Sequence, residues 1–169
     1  ARDISQKIRS SLYARMQSGK YIGSFAPYGY RKSSSKHGQL EWDQQAAIVV
    51  QRIFAWASAG KTPAQIACKL EKEQYCTPLE YRRLGSLLHS PMRQFHWQAG
   101  TVRKLLNNPC YMGMLVQGRT QKISFKAKQS KAVPKERWHI CEQTHKAIVS
   151  QEMYTRVQRM LASRCRMHP

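Results

Sequence analysis

Apolar residues recur at Ile4, Ile8, Leu12 and Met16. That four-residue spacing predicts a helix over residues 3–18 with one narrow greasy stripe. Arg2, Lys7, Arg9 and Arg15 occupy its other faces, and Gly19 is placed to stop it. A narrow stripe on a basic helix fits docking on a partner or lying along DNA, and it equally fits packing on its own domain. The periodicity then breaks. Lys20–Lys32 carries Gly23, Pro27 and Gly29, which no helix tolerates together, with three tyrosines and a phenylalanine set among bases. Such a segment is extended, thin and cationic, suited to following a groove or a phosphate backbone. An aromatic linker folded onto the core is the plainer alternative.

Tyr28–Lys32 and Gln39–Trp42 are predicted to pair as short strands around a Ser33–Gly38 turn. Asp43 is an N-cap for a helix whose Ala46, Ala47, Ile48, Val49, Val50, Ile53, Phe54 and Ala57 are apolar on nearly every side, so this is the central core helix. Gly60 ends it. Thr62-Pro63-Ala64-Gln65 has the residues of a capping box with proline at the first helical position, opening a helix that runs to about Glu73. Residues 79–96 are ambiguous, with room for a short helix at Leu79–His89. A further helix ends at Asn107, its start anywhere from Gln98 to Thr101. It groups Val102, Leu105 and Leu106 on one side and Gly100, Lys104 and Asn107 on the other, with Thr101 and Arg103 on the flanks. Asn108-Pro109 terminates it. Tyr111–Val116 and Trp138–Gln143 read as strands. The acid-free basic run from Arg119 through Lys122, Lys126, Lys128 and Lys131 to Lys135 reads as a hairpin or loop over phosphates, or as a solvated loop with no partner. Ser150 caps a last helix with Met153, Val157, Met160 and Leu161 on one side. The fold class is therefore mainly α with a small antiparallel β-sheet.

Length and charge narrow the function. At ~150 residues per domain, 169 residues make one domain or two small ones. Lys and Arg total 29 against 9 Asp and Glu, a net charge of +20. An excess of that size makes a polyanion the first candidate partner. Ala46–Val50 is a strictly apolar run that no other exceeds in length, so no membrane span is expected. The five cysteines lack CxxC spacing and read as reduced thiols of a cytoplasmic protein; the six histidines form no ligand pair. No metal and no cofactor is expected. Nine dispersed carboxylates are a poor basis for a two-metal nuclease.

Several phrases stand in one order: Gly23…Pro27-Tyr28-Gly29-Tyr30; Asp43…Ala47…Val50…Ile53-Phe54; Gly60…Ile66-Ala67…Leu70; Thr77-Pro78; Trp97…Val102…Leu105-Leu106-Asn107-Asn108-Pro109…Tyr111-Met112-Gly113; and Thr144-His145…Ala147-Ile148-Val149-Ser150…Val157-Gln158…Leu161. Together they resemble the recombinase domain of large serine recombinases over roughly residues 19–161, with 79–96 matching least. The resemblance implies a piece of a larger enzyme. Residues 1–19 would be the end of a long helix from a preceding catalytic domain, 20–32 a groove-tracking linker, and 33–169 the DNA-binding domain. No segment resembles the catalytic serine motif, so the fragment is expected to bind double-stranded DNA at a recombination half-site and to cut nothing. It would be a monomer alone, and a dimer or tetramer within the full-length enzyme.

In that frame, Pro63–Glu73 and Gln98–Asn107 form a helix-turn-helix with a greatly lengthened turn, and the second helix enters the major groove. Gly100 permits close approach. Arg103 and Lys104 would bond guanine edges or phosphates, and Gln98, Thr101 or Asn107 would read adenine or take a neighbouring phosphate. Lys20, Tyr21, Gly23, Arg31 and Lys32 would run beside the minor groove. Arg119, Lys122, Lys126 and Lys128 would hold the backbone without reading sequence. An RNA-binding basic module and a helix-turn-helix transcriptional regulator are the rival readings.

Overall fold

The computed structural model describes residues 2–85, 95–122 and 129–166. Helix α1 (Arg2–Gln17) ends where Gly19 turns left-handed, and the Gly19 and Lys20 amides donate back to the Met16 and Arg15 carbonyls at 3.2 and 3.0 Å. Along the described part of its predicted stripe, Met16 is buried, Leu12 half-buried and Ile8 exposed. The last turn docks on the chain's own body. There the Cys141 thiol donates to the Met16 carbonyl at 3.4 Å and the Tyr13 ring meets the His139 ring at 5.4 Å.

Strands β1 (Tyr30–Lys32) and β2 (Leu40–Trp42) pair antiparallel as the pattern predicts, Arg31 opposite Glu41. The linker reading divides at this point. Tyr28 and Tyr30 are core residues, whereas Ser24 and Phe25 before them and Arg31 and Lys32 after them are exposed. Helix α2 (Gln44–Ser58) starts on Asp43, whose carboxylate accepts the Ala46 N–H at 3.4 Å. It buries Val49, Val50, Ile53 and Phe54 completely and forms the centre of the core. Helix α3 (Pro63–Lys72) has the full capping box: Gln65 N–H donates to the Thr62 hydroxyl at 3.2 Å and the Thr62 N–H to the Gln65 side chain at 2.9 Å.

Helix α4 (Pro78–Leu84) is shorter than the predicted Leu79–His89, because Gly85 takes a left-handed C-cap. Helix α5 (Ala99–Leu106) begins within the predicted window. Tyr111 lies in a 3₁₀ turn over Pro109–Met112, where the pattern predicts a strand from Tyr111. Proline favours a first helical position, the Asn108 side chain accepts the Cys110 N–H at 3.1 Å, and left-handed Gly113 closes the turn. Extended structure therefore starts later. Strand β3 (Leu115–Gln117) is followed by β4 (Thr120–Lys122), β5 (Ser130–Ala132) and β6 (His139–Cys141). β4 and β5 make the expected basic hairpin, and β3 pairs with β6. Lys126 and Lys128 lie outside the described residues. Among the described residues the strands form three separate antiparallel pairs rather than a single sheet. Helix α6 (Gln151–Arg166), started by the Ser150 hydroxyl on the Met153 N–H at 3.2 Å, packs on α2.

Tyr111 ties these pieces together. It is fully buried, its hydroxyl donates to the Tyr28 carbonyl at 2.8 Å, and its carbonyl accepts the Ile148 and Val149 N–H groups at 2.9 and 3.0 Å. α3 and α5 pack against each other as a helical pair, with α4 inside the long connection. No described helix is long and apolar enough to cross a membrane.

Gly29 adjoins this centre. Its φ is +94°, and an added Cβ would lie 2.9 Å from both Ile148 Cδ1 and Val50 Cγ2. Overpacking and a left-handed backbone then act together. Gly29→Ala is expected to lower unfolding free energy by about 2–3 kcal/mol, read as a shifted midpoint in urea denaturation.

Candidate nucleic-acid interface

The orientation of α5 follows from its sequence. Val102, Leu105 and Leu106 are buried, whereas Gly100, Arg103, Lys104 and Asn107 are exposed. Its entry is fixed by Trp97, buried with Nε1–H donating to the Tyr75 carbonyl at 2.8 Å and its backbone N–H to the Glu71 carboxylate at 2.7 Å. Gln98 is the N-cap residue but makes no side-chain cap, so its exposed amide is uncommitted to the helix. Thr101 is half-buried. A Cβ on Gly100 would meet nothing within 4 Å, so the helix backbone there faces open space.

The outward face of α5 forms one side of a groove of about 680 Å³. Tyr21 and Pro27 line it from the linker, and Val116, Gln117 and Arg119 from the β3 segment. Three stretches far apart in the chain thus meet at one surface, and no carboxylate is among the described residues lining it. Three acids are engaged elsewhere: Glu41 faces Arg31 at 3.7 Å, Glu73 faces Arg52 at 3.3 Å, and Tyr81 donates to Asp43 at 2.8 Å. Among the described residues no ion pair engages Arg103, Lys104 or Arg119. The Arg119 guanidinium lies over the Trp138 ring, 5.1 Å from its centroid, a cation–π contact that holds it to the body.

The linker is fastened along this groove. Gln117 donates through Nε2 to the Lys20 carbonyl at 2.9 Å and accepts the Ile22 N–H at 3.0 Å, as a neighbouring strand would. The Tyr21 N–H donates to the Gly38 carbonyl at 2.7 Å. The Tyr21 hydroxyl donates to the Phe25 carbonyl, and the Tyr21 ring lies where a Cβ on Gly23 would go. Of the predicted linker contacts, Tyr21 lines the groove and Lys20 is exposed at its end. Arg31 and Lys32 are occupied otherwise, Arg31 with Glu41 and Lys32 Nζ donating to the Ser24 carbonyl at 2.8 Å. Lys122 is exposed on β4, outside the groove lining. Gln117 was invisible from sequence, because a single neutral amide inside a short strand carries no pattern.

The Recombinase family model matches residues 44–164, most of the chain, and the chain belongs to that family. The uncharacterized protein YefB of Bacillus subtilis (strain 168) is 36% identical over 73 residues, which is 43% of this chain and 24% of that relative. Two solved structures share the fold. One, concerning the sequence requirements of the Listeria innocua prophage attP site, matches with a TM-score of 0.53 at 15% identity over 96% of this chain and 52% of its own. The other, an LSR–DNA complex, matches with a TM-score of 0.50 at 16% identity over 96% of this chain and 38% of its own. The chain therefore spans about half or less of these longer chains. Among the described residues no group of His, Cys, Asp and Glu has the arrangement to hold a metal ion.

Behind the groove lies a buried histidine. His145 Nε2 is 2.8 Å from the Cys110 carbonyl and Nδ1 is 2.8 Å from the Thr144 hydroxyl, so a neutral ring donates through Nε2 and accepts at Nδ1. Tyr30 packs edge-on against it at 4.8 Å. Burial lowers its pKa below the ordinary 6.5, opposed by the bond to Cys110, and burial pushes the Cys110 thiol up to about 12. Below 6.5 the unfolded chain takes up a proton that the folded chain resists. Stability is therefore whole above that pH and falls as pH drops through it. The thermal midpoint is expected to decline between pH 7 and pH 5, and His145→Asn to flatten that decline; the check is a pH series of melts.

Proposed function

We propose that this chain is the duplex-reading part of a site-specific serine recombinase, binding double-stranded DNA at a recombination half-site. The observation that carries it is the groove in which the cationic face of α5, the Tyr21–Pro27 linker and Arg119 converge without a carboxylate. α5 would enter the major groove with α3 as its brace, Gly100 allowing close approach. Arg103 and Lys104 would donate to guanine edges or phosphates, and Gln98, Thr101 and Asn107 to adenine or neighbouring oxygens. Lys20 and Tyr21 would lead the chain along the minor groove, and Arg119 and Lys122 would fix position on phosphates. The solved relatives described with an attP site and with DNA support this assignment.

Residues 1–19 are then the end of a helix from a catalytic domain, 20–32 the linker and 33–169 the DNA-binding domain. Strand exchange and assembly into dimers and tetramers belong to the larger enzyme, which works in the cytoplasm.

The test is a binding titration with a duplex enriched from a random pool, its scrambled version and a structured RNA. Preferential binding of the enriched duplex is expected, with affinity falling steeply as salt rises. Lys104→Ala and Arg103→Ala should each cost about 1–3 kcal/mol on the enriched duplex and little on the scrambled one if they read bases. Equal binding of RNA and duplex would favour the RNA-binding alternative.

A further inference from the structure

Helix α4 sits within the stretch that least resembles the recombinase pattern, yet it is docked on the linker. Tyr81 packs edge-on to Tyr28 at 5.5 Å and donates to Asp43, which anchors the helix. One residue further, the Arg82 guanidinium carbon lies 4.2 Å from the centroid of the Phe25 ring. Phe25 is 61% exposed, so its ring is open to a neighbour from the solvent side. The loop carrying it is held on both sides: Tyr21 donates to the Phe25 carbonyl and Lys32 to the Ser24 carbonyl. Its sequence neighbours Tyr21 and Pro27 line the groove.

Contact with an aromatic ring uses the face of a guanidinium and leaves the N–H groups on its edge free to donate. Nearby acids are engaged: Glu80 faces Arg83 at 3.6 Å and Asp43 accepts from Tyr81. Among the described residues Arg82 takes part in no ion pair. From this arrangement we infer that Arg82, oriented by the Phe25 ring, is a phosphate-binding residue for duplex DNA, extending the interface from α5 across the linker to α4. The inference rests on the DNA-binding reading and adds to it two residues that no charge pattern singles out. Phe25 acts here as a positioning residue, and its contribution passes through Arg82.

The experiment measures duplex affinity of the whole chain against salt for the parent protein, Arg82→Ala, Phe25→Ala, Phe25→Trp and the Phe25→Ala/Arg82→Ala double variant. Thermal melts check that each folds; both side chains are solvent-exposed. Arg82→Ala is expected to reduce the log–log salt slope by about 0.9, one phosphate contact, on specific and scrambled duplex alike. Phe25→Ala, which removes no charge, is expected to weaken binding roughly 2- to 5-fold, the worth of an exposed cation–π pair. Phe25→Trp should restore affinity, and the double variant should bind no worse than Arg82→Ala alone. An unchanged slope for Arg82→Ala, or losses from Phe25 and Arg82 that simply multiply, would overturn the inference while leaving the DNA-binding reading standing. Absence of salt-dependent duplex binding by the parent protein would overturn both.

Discussion

The burial of Val102, Leu105 and Leu106 against α3 is the constraint on which the rest depends. Each such side chain contributes ~1.5–3 kcal/mol when taken from water. Turning α5 about its axis would expose them and force Arg103 and Lys104 into an apolar interior, where an unpaired charge costs several kcal/mol more. Both effects point the same way. The helix has one orientation, and the polar face it leaves outward is the one with Gly100, Arg103, Lys104 and Asn107. Trp97, tied to the end of α3 through Glu71 and Tyr75, prevents the long connection from loosening that orientation.

A correctly aimed helix still needs the incoming chain brought to it. Gln117 does this with two backbone-like hydrogen bonds to the segment that leaves α1. The last turn of α1 is itself fastened through Met16 and Cys141, so α1, the segment after it and the outward face of α5 are tied to the same body. Charge follows the same geometry. Glu41, Glu73 and Asp43 are spent on ion pairs and a cap, and no carboxylate is among the described residues lining the groove, so its cations keep their field. In a chain of net charge +20, this distribution says more about the interface than the total does.

Local signals were legible wherever one residue's chemistry decides the outcome. Asp43, Thr62 with Pro63 and Gln65, and Gly60 bound their helices as the pattern predicts, because capping bonds are made within a few residues. The two faces of α5 were legible because periodicity encodes them directly. Tertiary choices were not. Tyr28 and Tyr30 look like groove-tracking aromatics among bases, but the Tyr111 hydroxyl and the His145 ring draw them into the core from residues far along the chain. Tyr111 itself has the composition of a strand, and Asn108, Pro109 and Gly113 fold it into a 3₁₀ turn. Arg31 and Lys32 illustrate the same limit: counting bases identifies cations, while only the fold shows which have partners.

The most direct measurement is disulfide trapping between α5 and a duplex bearing a thiol-tethered base in its major groove. It uses Gly100→Cys in a Cys68→Ser background, with Ala55→Cys on the exposed side of α2 as the comparison. Efficient trapping from position 100, with position 55 silent, is the predicted result. Trapping from position 55 with none from position 100 would contradict the account.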